Sequence, residues 1–334
     1  MKKMKNAGRW LVYGLLIFAL AACSVPGPSG KNENQSGEKK KAVNKIDPLT
    51  GLTTGGAEHP VLMVMLNNHR NARPQTGLDR ADIVVEILAE GEITRFAAFY
   101  HSQTGGKVGP VRSVRNYYLD LAEGADAVVA HAGGAKDALA RIEQENIPGL
   151  DGIHEDARYF SRVSFRKPPH NLYTDLERLY EAVREQGYQS LPVKKAYQFS
   201  KTAETGQRES AGRIDLDYHP LYKAGYEYDS ASKSYIRYTE GVRQVDRETK
   251  QPLSMQNVLV VFAKHQIVDS VGHRTVAVKA SGRGYLFQQG KALSIEWRYR
   301  DGWIIPFAGG KEVPMLPGKT WVNVLPETGR VSFQ

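Results

Sequence analysis

The sequence predicts an α/β (α+β) fold, with a layered, mixed-sheet amino-terminal domain and a smaller, mostly-β carboxyl-terminal domain. Two observations lead to this prediction. Residues 47–195 alternate short apolar runs with segments whose apolar residues recur at helical spacing, whereas residues 213–334 consist of short alternating segments separated by Gly, Asp, Lys and Pro. The length of 334 residues and the hydrophobic content of 41% suit two globular domains that each bury a core.

The amino terminus has the pattern of an export signal. Residues 2–9 carry four cations and no acid, and residues 10–20 form an apolar run that is too short to span a membrane as a mature helix. The run ends in Leu-Ala-Ala-Cys at 20–23, which resembles the lipobox of bacterial lipoproteins. We therefore predict that residues 1–22 are a lipoprotein signal peptide, and that lipidated Cys23 anchors the protein to the cell membrane on its extracytoplasmic face. The alternative is an ordinary signal peptide that happens to lie beside a cysteine.

Residues 23–46 are rich in Pro, Gly, Ser, Asn, Gln and Lys without apolar periodicity, which predicts a flexible tether. The signal and the tether also explain the basic composition. The chain has 45 Lys and Arg against 36 Asp and Glu, a formal charge of +9, but residues 1–22 hold four of these positive charges and the tether a net three, which leaves +2 for the rest. Since the folded part is nearly neutral, a nucleic-acid partner is not predicted.

Residues 47–195 contain seven predicted elements. Apolar runs predict strands, and spacings of three and four residues between apolar side chains predict helices. Ser113 is a candidate helix N-cap, and Thr174 followed by Glu177 forms a capping box. In chain order the elements are strands at 61–66, 82–88 and 94–101, a helix at 113–122, a strand at 127–130, and helices at 135–143 and 174–186.

Residues 189–212 are polar and break the periodicity, so they mark the predicted domain boundary. Beyond them, β-branched and aromatic residues dominate short segments. The predicted strands are 226–238, 257–263, 274–280, 284–289, 292–299, 303–307 and 320–325. Glycines beside these strands are assigned to turns that need positive φ, and they are Gly282, Gly284, Gly290, Gly302, Gly309, Gly310 and Gly318.

The densest candidate chemistry surrounds three arginines, Arg95, Arg112 and Arg115. Arg112 and Arg115 are three residues apart across the predicted helix start, a spacing that places both guanidinium groups on one face of the first turn. Arginine can bind two oxygens at once. Together with Ser113, these side chains predict a site for phosphate, carboxylate or an acidic glycan. The alternative is that the arginines form structural salt bridges, with Glu86, Glu90, Glu92 or Asp120.

Further candidates follow the next strand. His131 ends a predicted strand and precedes Gly133 and Gly134, where α/β folds often place ligand contacts; the alternative is a hydrogen-bonded strand end and a helix-entry turn. Arg162 and His170 belong to a stretch of cations and aromatics that is predicted to fold over the same cleft, with a solvated loop as the alternative. No nucleophile elbow, nucleotide-binding loop or convincing metal-ligand spacing occurs, so we predict no cofactor and no metal, and assign no catalytic residue.

Consecutive motifs resemble the YerB family of bacterial lipoproteins. They are Pro-Val-Leu-Met-Val-Met at 60–65 with Asn68 and His69, Ala-Arg-Pro-Gln-Thr-Gly-Leu at 72–78, Ala-Asp-Ile-Val at 81–84, Ile-Thr-Arg-Phe at 93–96, Gly-Pro-Val-Arg-Ser-Val-Arg at 109–115, His-Ala-Gly-Gly at 131–134 and Pro-Gly-Lys-Thr-Trp-Val at 317–322. The resemblance covers most of the chain after the tether. It implies a layered α/β domain followed by a smaller domain, and it implies no particular activity.

Three hypotheses of function follow. The first is a membrane-anchored binding protein whose cleft takes an anionic wall or glycan ligand, with charge from the three arginines and shape from residues 131–134. The second is an envelope phosphotransferase or hydrolase at the same cleft, with His131, Glu90 or Glu92 as base. The third is a scaffold for an envelope protein complex, which would present aromatic side chains to a protein partner, namely Trp297, Trp303 or Trp321.

Overall fold

The computed structural model describes residues 45–54, 59–154, 157–203 and 208–334. The predicted signal peptide, Cys23 and the predicted tether as far as residue 44 lie outside the described residues. The last two residues of the predicted tether, Lys45–Ile46, form a short strand that pairs with Thr53–Thr54.

The described residues contain 25 strands, three α-helices and three short 3-10 turns. The strands are β1 (Lys45–Ile46), β2 (Thr53–Thr54), β3 (Leu62–Asn67), β4 (Ile83–Leu88), β5 (Thr94–Tyr100), β6 (Lys107–Val108), β7 (Val128–His131), β8 (Gly149–Asp151), β9 (Phe160–Arg162), β10 (Leu172–Asp175), β11 (Glu209–Ser210), β12 (Arg213–His219), β13 (Tyr222–Asp229), β14 (Ser234–Thr239), β15 (Val242–Arg243), β16 (Ser254–Met255), β17 (Asn257–Ala263), β18 (His265–Ile267), β19 (Arg274–Val276), β20 (Ser281–Gln288), β21 (Lys291–Arg300), β22 (Trp303–Ala308), β23 (Lys311–Glu312), β24 (Thr320–Pro326) and β25 (Arg330–Phe333). The helices are α1 (Asn116–Gly124), α2 (Lys136–Gln144) and α3 (Leu176–Glu185), and the 3-10 turns are Arg70–Ala72, Leu78–Arg80 and Glu90–Glu92.

One mixed sheet of twelve strands runs through both halves of the sequence. Its order is β23-β22-β21-β20-β17-β24-β4-β5-β3-β7-β8, with β11 paired to β21. Strand β24 joins the halves, because it lies between β17 and β4 and runs parallel to both. The predicted fold class is confirmed: helices accompany the amino-terminal half and strands dominate the carboxyl-terminal half. The boundaries of the two predicted domains stay a prediction, since the two segments share this sheet.

The central strands of the main sheet are buried on both faces, which explains why their sequences are continuous apolar runs. On β3, Leu62 and Val64 face one core, while Met63 and Met65 face the other. The first core lies against α3 and a second, six-stranded antiparallel sheet of order β15-β14-β13-β12-β25, with β16 beside β14. The second core contains the apolar faces of α1 and α2. Two smaller sheets, β6-β10-β9 and β18-β19, complete the strand pairing.

A buried ion pair joins the two large sheets across the first core. Arg237 Nη2 on β14 lies 2.8 Å from Glu86 Oε2 on β4, and both side chains are at most 1% exposed. The remaining lone pairs of Glu86 accept from Tyr222 (2.7 Å), Thr94 (2.7 Å) and Trp321 Nε1 (3.0 Å). Burial opposes the charged form of Arg237, but Glu86 holds the pKa of the guanidinium above its ordinary value. The pair therefore fixes how the second sheet sits on the main sheet.

Several element predictions are wrong for local reasons. Helix α3 begins at Leu176, and its cap is Asp175, whose side chain accepts from Glu177 N at 3.0 Å; Thr174 Oγ1 donates to Tyr159 O instead. The segment 226–238 is not one strand, because a turn separates β13 from β14. Strand β12 was not predicted, since its outward positions are charged.

The glycine predictions were right at five positions and wrong at two. Positive φ occurs at Gly290, Gly302, Gly309, Gly310 and Gly318. Gly282 and Gly284 instead lie inside β20 without positive φ. A Cβ on Gly282 would come within 3.1 Å of Phe262 O, and one on Gly284 within 3.2 Å of the Val261 Cα. These two glycines therefore allow close approach of the neighbouring strand.

Candidate anion-binding site

Residues 111–114, which carry the arginine motif, are extended and held by two strand ends. Arg112 N donates to Met65 O on β3 (2.8 Å), and Arg112 O accepts from Ala132 N just after β7 (3.1 Å). Isolated bridges join Val111 to β3 and Val114 to residue 134. This backbone pairing draws the segment toward the main sheet, so that the chain cannot turn into a helix until it has passed the strand ends.

Helix α1 consequently begins at Asn116, with Arg115 as its N-cap residue. Ser113 is not the cap that the sequence predicts, because its Oγ donates to Ala132 O at 3.0 Å. Arg112 and Arg115 both precede the helix, so the prediction that they share a face of its first turn is wrong.

Arg95 and Arg115 share the carboxylate of Glu90. Arg95 Nη2 lies 3.1 Å from Glu90 Oε2, and Arg115 Nε donates to Glu90 Oε1. Each arginine also donates to a backbone carbonyl, Arg95 to Ser113 O (2.8 Å) and Arg115 to Val114 O (2.6 Å). Burial alone would raise the pKa of Glu90, but the two arginines hold it below its ordinary value. For this pair, the contacts are those of the structural salt-bridge alternative.

Arg112 differs from its two neighbours. Within the described part of the chain, its guanidinium has neither an ion pair nor a hydrogen bond, although the side chain is partly buried. Burial lowers the pKa of Arg112, and the positive charges of Arg95 and Arg115 lower it further. A partly buried cation near like charges has lost favourable interactions with water and is repelled by its neighbours. A bound anion stabilises it by replacing the lost interactions.

Two histidines lie close enough to feel the charge of Arg112. The rings of His69 and His170 stack, with centroids 4.7 Å apart and planes at 15°. Asn67 Nδ2 donates to His170 Nδ1 (2.8 Å), and Asn71 N donates to His69 Nδ1 (3.1 Å), so both rings keep their proton on Nε2. Burial lowers the pKa of both rings, and Arg112 contributes to the lowering in each. Both are therefore neutral N–H donors at pH 7.

A cleft of about 520 Å³ opens beside the His170 ring. No carboxylate of the described residues lines it; the lining consists of Asn71, Arg73, Phe165, Arg166, Lys167, Pro168, His170 and Arg247. Arg166 donates to the carbonyls of Asn71 and Pro74, and Arg247 lies over the ring of Phe165 at 3.9 Å. These contacts orient the two cations without neutralising them. Arg112 and His69 are not in the lining, but His69 stacks on His170 and the charge of Arg112 acts on the same ring. We call the cleft together with these two residues the basic cleft.

His131 and the two glycines have local backbone roles. His131 ends β7 with Nδ1 3.0 Å from Gly133 O, and burial lowers its pKa. Gly133 has a φ of +62° and donates to Asp151 Oδ1 at 2.8 Å. A Cβ on Gly134 would approach Leu139 within 3.0 Å. These contacts are those of the alternative interpretation, a hydrogen-bonded strand end followed by a helix-entry turn.

Of the two later candidate residues, only one lines the basic cleft, and the cleft also contains arginines that were not predicted. His170 lines the basic cleft, whereas Arg162 is exposed and donates to Asn171 Oδ1 at 2.9 Å. Arg166 and Arg247 were not among the predicted site residues. The run Arg-Lys-Pro-Pro-His at 166–170 is a signal that could have identified Arg166, but Arg247 lies in the other half of the sequence and only the fold brings it to the cleft.

The side chains named for the other two hypotheses are engaged or buried. Glu90 is held by two arginines, and Glu92 Oε2 lies 2.7 Å from Arg274 Nη2. The three tryptophans proposed to face a partner are core residues, so that prediction is wrong; the exposed fractions are 1% for Trp297 and 2% for Trp303 and Trp321. In the described ranges, no group of three or more His, Cys, Asp or Glu could hold a metal ion. No helix there is long and apolar enough to cross a membrane.

Fold and site together define a protein with one mixed sheet, a second antiparallel sheet packed on it, and a cation-lined cleft to which both halves contribute. Residues 49–189 match the family described as "Protein of unknown function (DUF3048) N-terminal domain", and residues 214–322 match its C-terminal domain. "Putative lipoprotein YerB" of Bacillus subtilis (strain 168) is 38% identical over 291 residues, which cover 86% of this chain and 88% of that protein. A crystal structure of YerB protein from Bacillus subtilis matches with a TM-score of 0.79 at 36% identity, over 86% of this chain and 99% of that one. The chain therefore belongs to the YerB family, as its motifs predict.

Proposed function

We propose that this protein is an extracytoplasmic lipoprotein, anchored through Cys23, that binds an anionic ligand of the cell envelope in the basic cleft. The observation that carries the binding proposal is Arg112. Its guanidinium is partly buried, has no partner in the described ranges, and is close enough to lower the pKa of His170, which lines a cleft without a lining carboxylate. A phosphate or carboxylate group is the chemical complement of such a site.

The donors around the cleft suit a group with several oxygens. Arg112 offers a planar fork of N–H groups, and the Nε2–H groups of His69 and His170 are neutral donors beside it. Arg166 and Arg247 line the same cleft as His170 and add positive charge to it. Arg166 is oriented by carbonyls, Arg247 by a ring, and the Arg112 guanidinium has no partner in the described ranges. A bound anion would therefore not have to displace a carboxylate from any of the three.

The anchoring proposal has separate support. The Leu-Ala-Ala-Cys sequence at 20–23 follows an apolar run, and the cysteine is the only one in the chain. A relative with 38% identity carries the name of a lipoprotein. Two acyl chains on one cysteine hold a protein stably on a bilayer.

Replacing Arg112 with glutamine tests the binding proposal. We expect Arg112→Gln to weaken binding of pyrophosphate and of phosphorylated wall fragments by roughly 10- to 100-fold, because a hydrogen bond to a charged group contributes about 1.5–3 kcal/mol. Isothermal titration of the full-length protein in detergent measures this. Arg162→Gln, the same change at an exposed arginine outside the basic cleft, should leave affinity unchanged. Equal affinities for Arg112→Gln and wild type would overturn the proposal.

Binding should also strengthen in mild acid. Burial and neighbouring cations keep the pKa values of His69 and His170 below the ordinary value in the free protein, the cations being Arg70, Arg73 and Arg112 for His69, and Arg112 and Arg166 for His170. A bound anion favours the protonated rings, so that binding takes up protons and affinity rises as pH falls. With a phosphodiester probe, whose own charge is constant, we expect a roughly three- to tenfold gain between about pH 7.5 and pH 5.5. In the double variant His69→Gln/His170→Gln the affinity should not change with pH. If its affinity still rose as the pH fell, groups other than these two histidines would cause the effect, and the prediction would be wrong.

A further inference from the structure

The basic cleft is one of three cavities that share lining residues. A second cavity, of about 350 Å³, shares Arg73 with the basic cleft. A third, of about 270 Å³, shares Glu240 with the second. Arg73 Nη1 and Glu240 Oε2 are themselves 3.1 Å apart. The three cavities therefore follow one another across the surface, from the end of β3 to the outer face of the six-stranded sheet.

The chemical character of the surface changes along this path. In the basic cleft Arg73 pairs with Glu240, whereas Arg166 and Arg247 have no carboxylate partner among the described residues. The second cavity has a largely apolar surface, with Pro74, Val242 and Val245 in its lining, and Val242 is 64% exposed. Its lining also includes Arg70, Arg73, Arg243 and Glu240, of which Arg73 and Glu240 pair with each other. In the third cavity the carboxylates outnumber the cations, since Asp215, Glu227 and Glu240 line it with Arg213 and Lys223. Arg213 pairs with Asp215 (3.0 Å) and Glu227 (3.3 Å). An anion thus suits the first cavity best, because no carboxylate of the described residues lines it, while the third suits a neutral polar group.

The third cavity is a depression made by a glycine within a strand. Gly225 on β13 lies opposite Asp215 on β12 and Tyr238 on β14. Because Gly225 has no side chain, the two neighbours border an open space on the outer face of the sheet. Glycine inside a strand often marks a place where a ligand approaches the backbone. The ring of Tyr238 is partly exposed and offers a flat apolar surface beside charged hydrogen-bonding groups, a combination that suits the C–H face and hydroxyl groups of a sugar ring.

We propose that the three cavities form one groove for a phosphate-bearing glycan chain, with a phosphate in the basic cleft and a sugar ring over Gly225. This inference rests on the proposed function, because it assigns the anion that the basic cleft binds to a polymer. A single small anion would occupy the first cavity alone. A chain would occupy all three in sequence, with its linking atoms over the apolar middle cavity.

The experiment compares ligands of different length on the full-length protein. The probes are inorganic tripolyphosphate, and phosphodiester-linked glycan oligomers of two and of eight repeats. For the wild type we expect the long oligomer to bind roughly tenfold or more tightly than the short one, because more of the groove is filled. Gly225→Val should lose this gain and keep the affinity for tripolyphosphate, since the new side chain fills only the third cavity. Gly212→Val, in the same sheet region but outside the groove, should behave as wild type; a Cβ there meets nothing closer than 3.7 Å.

The outcomes separate the two proposals. If the wild type binds neither tripolyphosphate nor the oligomers, the proposed function fails and the groove proposal with it. If tripolyphosphate binds but length has no effect, the groove proposal alone is overturned. Because a Cβ on Gly225 would lie 3.0 Å from Ile214 O, Tyr238→Ala serves as a second variant should Gly225→Val not fold. A length effect that survives in Tyr238→Ala would also overturn the proposal.

Discussion

Glu86→Ala is expected to destabilise the protein by about 3–5 kcal/mol, because it leaves a fully buried arginine without its counter-ion. Arg237 is 0% exposed, and Glu86 is the carboxylate that faces it across the first core. The substitution also removes the acceptor of Tyr222, Thr94 and Trp321. Since whole domains are stable by only about 5–15 kcal/mol, this one change removes a large fraction. Urea unfolding followed by circular dichroism measures the loss.

A double variant identifies the cause of that loss. In Glu86→Leu/Arg237→Met both charges are gone. Its loss of stability should therefore be smaller, by more than about 1 kcal/mol, than the sum of the losses in the single variants Glu86→Leu and Arg237→Met. Glu248→Ala is the matched control: its ion pair with Lys107 (3.2 Å) is more than 40% exposed on both sides, and we expect a loss under about 1 kcal/mol. Additive single effects at Glu86 and Arg237 would mean that the pair does not act as a unit.

Gly302→Ala is expected to cost about 2–5 kcal/mol, the sum of positive-φ strain and of overpacking against backbone. Gly302 lies in the turn between β21 and β22 with a φ of +83°. A Cβ there would come within 2.5 Å of Leu121 O, in the last turns of α1, and would also collide with Ala125 N. Gly124, the last residue of α1, faces the same turn. The two glycines thus let α1 from the first half of the sequence touch a hairpin from the second.

Gly309→Ala separates the two contributions to the destabilisation expected for Gly302→Ala, which are backbone strain and overpacking. Gly309 also has positive φ, at +55°, but a Cβ there would meet nothing within 4 Å. We expect it to lose only about 1 kcal/mol, the backbone strain alone. The measurement is the melting temperature and free energy of unfolding of both variants. If Gly302→Ala were no less stable than Gly309→Ala, the contact between α1 and the β21–β22 turn would not be tight.

Strands buried on both faces were the easiest elements to predict from the sequence. Strand β17 has the predicted bounds, and β3, β4, β5 and β24 differ from prediction by one residue at one or both ends. Their continuous apolar runs need no knowledge of neighbours. The pairing of these strands could not be predicted in the same way, because the periodicity of the sequence does not show that β24 inserts between β17 and β4. The predicted segments were therefore right in character, while the shared sheet could not be predicted.

Local sequence motifs identified part of the candidate site, but not the long-range contacts that complete it. The Arg-Ser-x-Arg motif and the later run of cations supplied Arg112 and His170 of the candidate basic cleft, and ligand binding there stays a prediction. Local signals then misled at Ser113, because backbone pairing of Arg112 with Met65 and Ala132 outweighs a good capping residue. Which arginine is unpaired depends on where Glu90 lies, and Arg247 reaches the cleft only through the second sheet. Such long-range placements carry no periodic signal.

The central claim is that Arg112 is the free cation of an anion site, whereas Arg95 and Arg115 are structural. The most direct measurement is a crystal structure of the protein grown with a phosphorylated glycan fragment. We expect a phosphate oxygen within hydrogen-bond distance of the Arg112 guanidinium and of the His69 or His170 Nε2 atom, with Glu90 still bound to Arg95 and Arg115. A structure in which the ligand lies elsewhere, or in which Arg112 instead binds a carboxylate of the protein, would contradict the claim.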